Sequence, residues 1–138
     1  YLYDTGVACS LLKINQQSML STHYLYGGLF ENLVISELIK YGHHSGNLSS
    51  VYYWRESNGT EIDCIVEKSN REIAVIEIKA GATFTRDYLK NLNKFTEKGS
   101  SVQKYLIYNG DQSTQISDVR LISWDDFPGS LGNIVGAT

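Results

Sequence analysis

A chain of 138 residues, 42% hydrophobic with ten tyrosines and two tryptophans, carries material for one sizeable core and reads as a single domain over 1–138. Its net charge of −3 and isoelectric point near 5.5 argue against a domain whose main work is gripping a phosphate backbone non-specifically, while leaving room for local nucleic-acid contact. Two distant cysteines, Cys9 and Cys64, give neither a disulfide framework nor a C-x-x-C metal pair, and no run approaches the ~18 apolar residues that span a bilayer, so a cytoplasmic, non-membrane protein is expected.

The chain opens at Tyr1 in an apolar segment without an initiator Met, and is read as a piece of a longer polypeptide. Leu2-Tyr3-Asp4-Thr5-Gly6 fits an entry strand and turn, followed by a short helix through Leu11-Leu12. Over 23–41, Tyr26, Leu29, Phe30, Leu33, Val34, Leu38 and Tyr41 recur every three or four residues, which predicts an amphipathic helix ending at Gly42. Two acids break its pattern. Glu31 sits at the edge of the apolar stripe and Glu37 within it; Glu37 either backs a functional site or hydrogen-bonds Tyr or backbone groups in the core.

Residues 51–56 are aromatic and β-branched, 57–59 form a turn, and 60–67 alternate regularly, which predicts two strands. Ser69-Asn70 marks another turn before a third strand over 71–79, whose interior is apolar on both faces and belongs mid-sheet under helices on either side. A second helix is expected over 85–98 with Tyr88, Leu89, Leu92 and Phe95 facing inward, then a strand over 104–108 and one more over 119–122. The segment 126–138 reads as an irregular tail. The order helix, three strands, helix, strand is α+β, an α/β/α sandwich-like arrangement whose meander and crossover helix share a mixed central sheet.

Chemistry concentrates in Val75-Ile-Glu-Ile-Lys-Ala-Gly81, where Glu77 and Lys79 stand two apart on a strand otherwise built for burial. A buried charge costs several kcal/mol unless compensated. Whether Asp63 of the preceding strand joins them depends on register. A two-residue loop at Ser69-Asn70 throws Asp63 to the opposite face; a three-residue loop or bulge pairs Lys68 with Glu72 and sets Asp63 opposite Glu77. The chemistry requires the second register, and that register is expected. Two carboxylates ~5 Å apart at the backbone repel unless one protonates or a cation intervenes, and hard oxygen donors suit Mg²⁺ or Mn²⁺, with Lys79 beside the developing charge.

Asp63 followed by Glu77-Ile78-Lys79, after a helix bearing Glu31, resembles the PD-(D/E)XK nuclease superfamily and its restriction-endonuclease-like core. More closely, Gly28-Leu-Phe-Glu-Asn-Leu-Val-Ile-Ser-Glu-Leu38, Tyr53-Trp-Arg55, Glu61-Ile-Asp63, Ile76-Glu-Ile-Lys-Ala-Gly81 and the opening Tyr3-Asp-Thr-Gly6 are similar to the uncharacterised C-terminal domain of prokaryotic AAA-type ATPases. The resemblance covers roughly 1–125. It implies Asp63, Glu77 and Glu31 as metal ligands for Mg or Mn, Lys79 as the charge-stabilising or water-orienting residue, a nucleic-acid substrate, and an ATPase domain N-terminal to this piece. Ile62 stands where the superfamily name implies proline, and Cys64 replaces a bulkier apolar residue usual in the closer family. Two functions follow: metal-dependent phosphodiester hydrolysis of DNA or RNA, or a catalytically silent module of the same fold that serves assembly or partner recognition for the attached ATPase.

Other residues have plainer readings. Tyr53, Trp54 and Arg55 pack their strand, with base stacking as the alternative. Arg86, Lys90, Lys94 and Lys98 form the wet face of the second helix, with phosphate contact as the alternative. His23 is a helix-start residue, and His43-His44 is solvated with no third ligand at metal spacing. No G-x-x-x-x-G-K-[ST] loop occurs, so this piece is not expected to hydrolyse ATP.

Overall fold

The computed structural model describes residues 2–47, 50–68 and 71–136; Tyr1 and the turn expected at Ser69-Asn70 lie outside them. The elements are α1 (Thr5–Leu11), α2 (Gln17–Thr22), α3 (Tyr26–His44), β1 (Ser50–Arg55), β2 (Glu61–Glu67), β3 (Glu72–Lys79), a 3₁₀ turn (Arg86–Leu89) running into α4 (Lys90–Lys94), β4 (Ser101–Tyr108), β5 (Thr114–Ile116), β6 (Val119–Ser123) and α5 (Phe127–Val135). The strands form one mixed sheet in the order β1-β2-β3-β4-β6-β5. β1, β2 and β3 are an antiparallel meander, while β3, β4 and β6 run parallel. This is the expected α+β architecture, with β3 in the middle. Among the described residues no helix is long and apolar enough to cross a membrane.

Apolar alternation on the strands separates two cores. On one face Cys64, Val66, Ala74, Ile76, Ile78, Tyr105, Ile107 and Ile122 meet Phe30, Val34, Ile35 and Leu38 of α3 and Phe127, Leu131, Ile134 and Val135 of α5. On the other, Ile65, Val75, Leu106, Tyr108, Val119 and Leu121 meet Leu89, Leu92 and Phe95. Burying a side chain such as Ile35 or Leu38, each 1% exposed, contributes ~1.5–3 kcal/mol, so helices on both faces hold the sheet.

Four local expectations are corrected. No entry strand forms over 2–6: Asp4 instead caps α1, its Oδ1 accepting the N–H groups of Gly6 (2.8 Å) and Val7 (3.2 Å), because a short acid before Thr-Gly satisfies the helix's free donors. The helix expected over 85–98 shrinks to the 3₁₀ turn and α4, since Phe95 turns extended to place its ring 5.1 Å from that of Trp54. Within the segment 126–138, expected to be an irregular tail, residues 127–135 form a helix. Phe127, Leu131, Ile134 and Val135 recur at helical spacing and are buried in α5, with Pro128 in its first turn, where a missing N–H costs nothing. Among the described residues Glu37 hydrogen-bonds neither a Tyr nor a backbone group; it forms a 2.9 Å ion pair with Lys40, whose ammonium lies over the Tyr3 ring.

One polar contact ties the opening segment down. The amide of Asn32 accepts from Leu2 N–H (2.6 Å) and donates to Leu2 C=O (2.9 Å) and Thr5 Oγ1 (3.0 Å), mimicking a peptide group.

Candidate active site

The register of β2 on β3 pairs Cys64 with Ile76, Ile65 with Val75 and Glu67 with Ile73, and Lys68 N–H donates to Glu72 C=O at 2.8 Å. This is the expected Lys68–Glu72 register, and the ladder runs as far as Cys64 opposite Ile76. On its other side β2 is irregular: Tyr52 pairs with Ile65 but Trp54 with Ile62, so Tyr53 alone faces both Asp63 and Cys64. Such a bulge re-aims the side chain it carries. Here the Asp63 carboxylate takes, at Oδ2, the Ile78 N–H at 2.8 Å.

Glu77 follows from the strand period and points toward the α4 face. Its Oε1 accepts from Lys79 Nζ at 2.7 Å and from Asn91 Nδ2 of α4 at 3.5 Å; its Oε2 is buried without a hydrogen-bond partner. The Lys79 ammonium also lies 3.9 Å from Asp63 Oδ2, and the side chains of Lys79, Asp63 and Glu77 are 31%, 19% and 4% exposed. One cation therefore serves two half-hidden acids.

The electrostatics follow from that crowding. Burial first, and the Glu77 charge second, push Asp63 up to about 7 against the opposing pull of the Ile78 N–H and Lys79. Burial likewise raises Glu77, although Lys79 and Asn91 counter it. For Lys79 burial works against the cation, but the hydrogen bond and charge of Glu77, with the charges of Asp63 and Glu31, outweigh it and its pKa rises. Glu31, half-buried on α3, acts on all three groups through its charge. Burial pushes the neighbouring Cys64 thiol up to about 12, which leaves it inert as a nucleophile.

The structure thus brings Asp63, Glu77 and Lys79 together with Glu31 in electrostatic reach. Sequence reasoning missed Asn91. Its signal was an amide three residues after Tyr88 and four before Phe95, on the inward stripe of a helix.

Residues 26–127 match the model of a domain family of unknown function, DUF4143. The chain belongs to the DUF4143 family. No curated protein matches it. The matched span of the DUF4143 domain runs from the start of α3 to the first residue of α5, and so holds Glu31, Asp63, Glu77, Lys79 and Asn91.

Whether this DUF4143 site suits a divalent cation can be judged from its donors. Both acids offer hard oxygens, both are strained as anions, and Oε2 of Glu77 lacks a partner. Among the described residues no group of three or more His, Cys, Asp or Glu side chains is disposed to hold a metal. Mg²⁺, however, is commonly held by one or two carboxylates, with waters and substrate phosphate completing its shell. The residues fit such a partial site.

Proposed function

We propose that this domain is a metal-dependent nuclease-like module of the PD-(D/E)XK type, hydrolysing phosphodiester bonds of DNA or RNA as part of a longer ATPase polypeptide. The observation that supports it is the Lys79 ammonium placed 2.7 Å from Glu77 and 3.9 Å from Asp63, with a buried carboxylate oxygen left over. Mg²⁺ or Mn²⁺ held by Asp63 and Glu77, with Glu31 as a further acid, supplies polarisation of the phosphoryl group and activation of water. Lys79 sets positive charge where negative charge grows on the phosphate. The Ile78 N–H and the Asn91 amide fix the two carboxylates in orientation. In the reaction a water oxygen bonds to phosphorus and the water gives up a proton to solvent, the bond from phosphorus to the leaving sugar oxygen breaks, and that oxygen takes up a proton from solvent, so that one water is consumed overall.

A specific observation favours a second reading. With no three-acid metal group among the described residues, the same fold serves as a catalytically silent module for assembly or partner recognition. Titration with Mn²⁺, followed by calorimetry, separates the two. Saturable binding that Glu77→Ala abolishes, together with cleavage that Lys79→Ala abolishes at unchanged circular dichroism, supports the nuclease; no binding at millimolar metal supports the silent module.

A further inference from the structure

We propose that the cleft between α5 and the edge hairpin β5–β6 binds a small phosphorylated molecule, at a site separate from Asp63, Glu77 and Lys79. The cleft has a volume of about 320 Å³, within the range of small-molecule sites. Its sheet wall is one row of side chains. Gln115 pairs with Arg120 across the β5–β6 ladder, and Arg120 with Tyr105 across the β4–β6 ladder, so the three stand abreast. Val119 and Leu121 belong to the core on the α4 face; Arg120, between them, therefore looks toward α5, as Tyr105 does. Ser130 and Asn133, one turn apart on the flank of α5, form the opposite wall.

The charge in this cleft is of one sign. Among the described residues no acid lines it, and the exposed Arg120 makes no ion pair. Asp126 approaches through Ser113, but its Oδ2 is taken up by the hydroxyls of Ser113 and Ser123. A second cation sits behind the row. Lys68 donates to Gln103 Oε1 and to the Asn133 carbonyl, and the Tyr105 hydroxyl donates to the same Gln103 oxygen at 2.7 Å. Arg120 reaches that hydroxyl from the other side. Burial lowers the Lys68 pKa, the Glu72 charge opposes this and the Arg120 charge adds to it. Glu72 forms an ion pair with neither cation among the described residues.

Two like charges around one phenol, with no carboxylate in contact, are relieved by an anion in the open space beside them. The donors indicate its shape. The Arg120 fork alone satisfies the two coplanar oxygens of a carboxylate. Here further donors stand on both walls: the Asn133 side-chain amide on α5, and on β5 the Gln115 amide, which spends one N–H on the Ser117 carbonyl and keeps the other. Donors on facing walls match the diverging oxygens of a phosphate, and its second negative charge matches the second cation.

Heteronuclear NMR of the intact chain, titrated with inorganic phosphate at about pH 8 and constant ionic strength, tests this. Saturable shifts are expected at Arg120 Nε–H and at the side-chain amides of Gln115 and Asn133, with the backbone amides of Glu77 and Lys79 unmoved. Arg120→Gln should weaken binding about tenfold or more, the scale of a hydrogen bond to a charged group, and Asn133→Ala, which keeps the carbonyl that Lys68 uses, about threefold or more. Circular dichroism confirms that both variants fold. Shifts centred on Lys79, binding unchanged in Arg120→Gln, or no saturation at tens of millimolar phosphate overturns the proposal. Acetate binding as tightly as phosphate overturns the assignment of the ligand as a phosphate. None of these outcomes bears on whether Glu77 holds a metal, so this site and the nuclease reading fail separately.

Discussion

Lys79 and Glu77, two residues apart on β3, are joined by a 2.7 Å ion pair although only 4% of the Glu77 side chain is exposed. Removing the cation leaves an acid nearly enclosed and unpaired. Lys79→Met is therefore expected to cost about 3 kcal/mol at about pH 8. The cost should shrink as the pH is lowered, because burial already raises Glu77 and a protonated carboxyl no longer needs a partner. Urea unfolding at about pH 8 and at a clearly lower pH checks this; an equal loss at both would show that packing, not charge, carries the effect.

Asp63 is strained in the opposite sense from an ordinary surface acid. Its folded pKa of about 7 stands above the ordinary 3.8, so between those values the folded state binds more protons than the unfolded state. Stability therefore falls as pH rises from about 4 to about 7 and levels off beyond, a loss of a few kcal/mol. Asp63→Asn keeps an acceptor for the Ile78 N–H and removes that slope. Its melting temperature should exceed the parent's at about pH 8 and converge with it near pH 4.

Lys68 is a buried cation of a different kind. It is 9% exposed, and its ammonium donates to Gln103 Oε1 at 2.8 Å and to the Asn133 carbonyl near the end of α5. Burial lowers its pKa, yet the negative end of a helix favours a positive charge there. Lys68→Met keeps the stem and loses the clasp. About 1–3 kcal/mol of stability should go with it, and hydrogen exchange should quicken in α5 ahead of β3.

Two glycines predict opposite signs. A Cβ at Gly110 would overlap the Tyr108 ring and the Ala82 carbonyl, whereas one at Gly129, inside α5, meets nothing. Gly110→Ala should destabilise by at least about 2 kcal/mol, and Gly129→Ala should stabilise by up to about 1 kcal/mol. Thermal melts of both variants decide it.

Much of this architecture was legible in residue order. The three- and four-residue spacing from Tyr26 to Tyr41 marks α3, and the two-faced apolar run of β3 places it mid-sheet. The Lys68–Glu72 register followed from asking which pairing lets Asp63 meet Glu77. The bulge at Asp63-Cys64 was not legible, because alternation is blind to an extra residue whose only trace is a partner strand's spacing. Asn91 stayed hidden since its partner lies fourteen residues away and they meet only through the crossover. In α5, Pro128, Gly129 and Gly132 read as breakers, although a first-turn proline and open space around Gly129 remove their usual cost. Glu37 misled because a wheel ranks positions by angle, while Lys40 one turn on offers a local partner.

Asn32 holds the backbone of Leu2 by both its polar groups and is next in line to Glu31. The opening segment is thereby pinned to α3 one residue away from the acid whose charge acts on the pocket. The same amide that fixes the first residues of the chain sits on the helix that mounts Glu31.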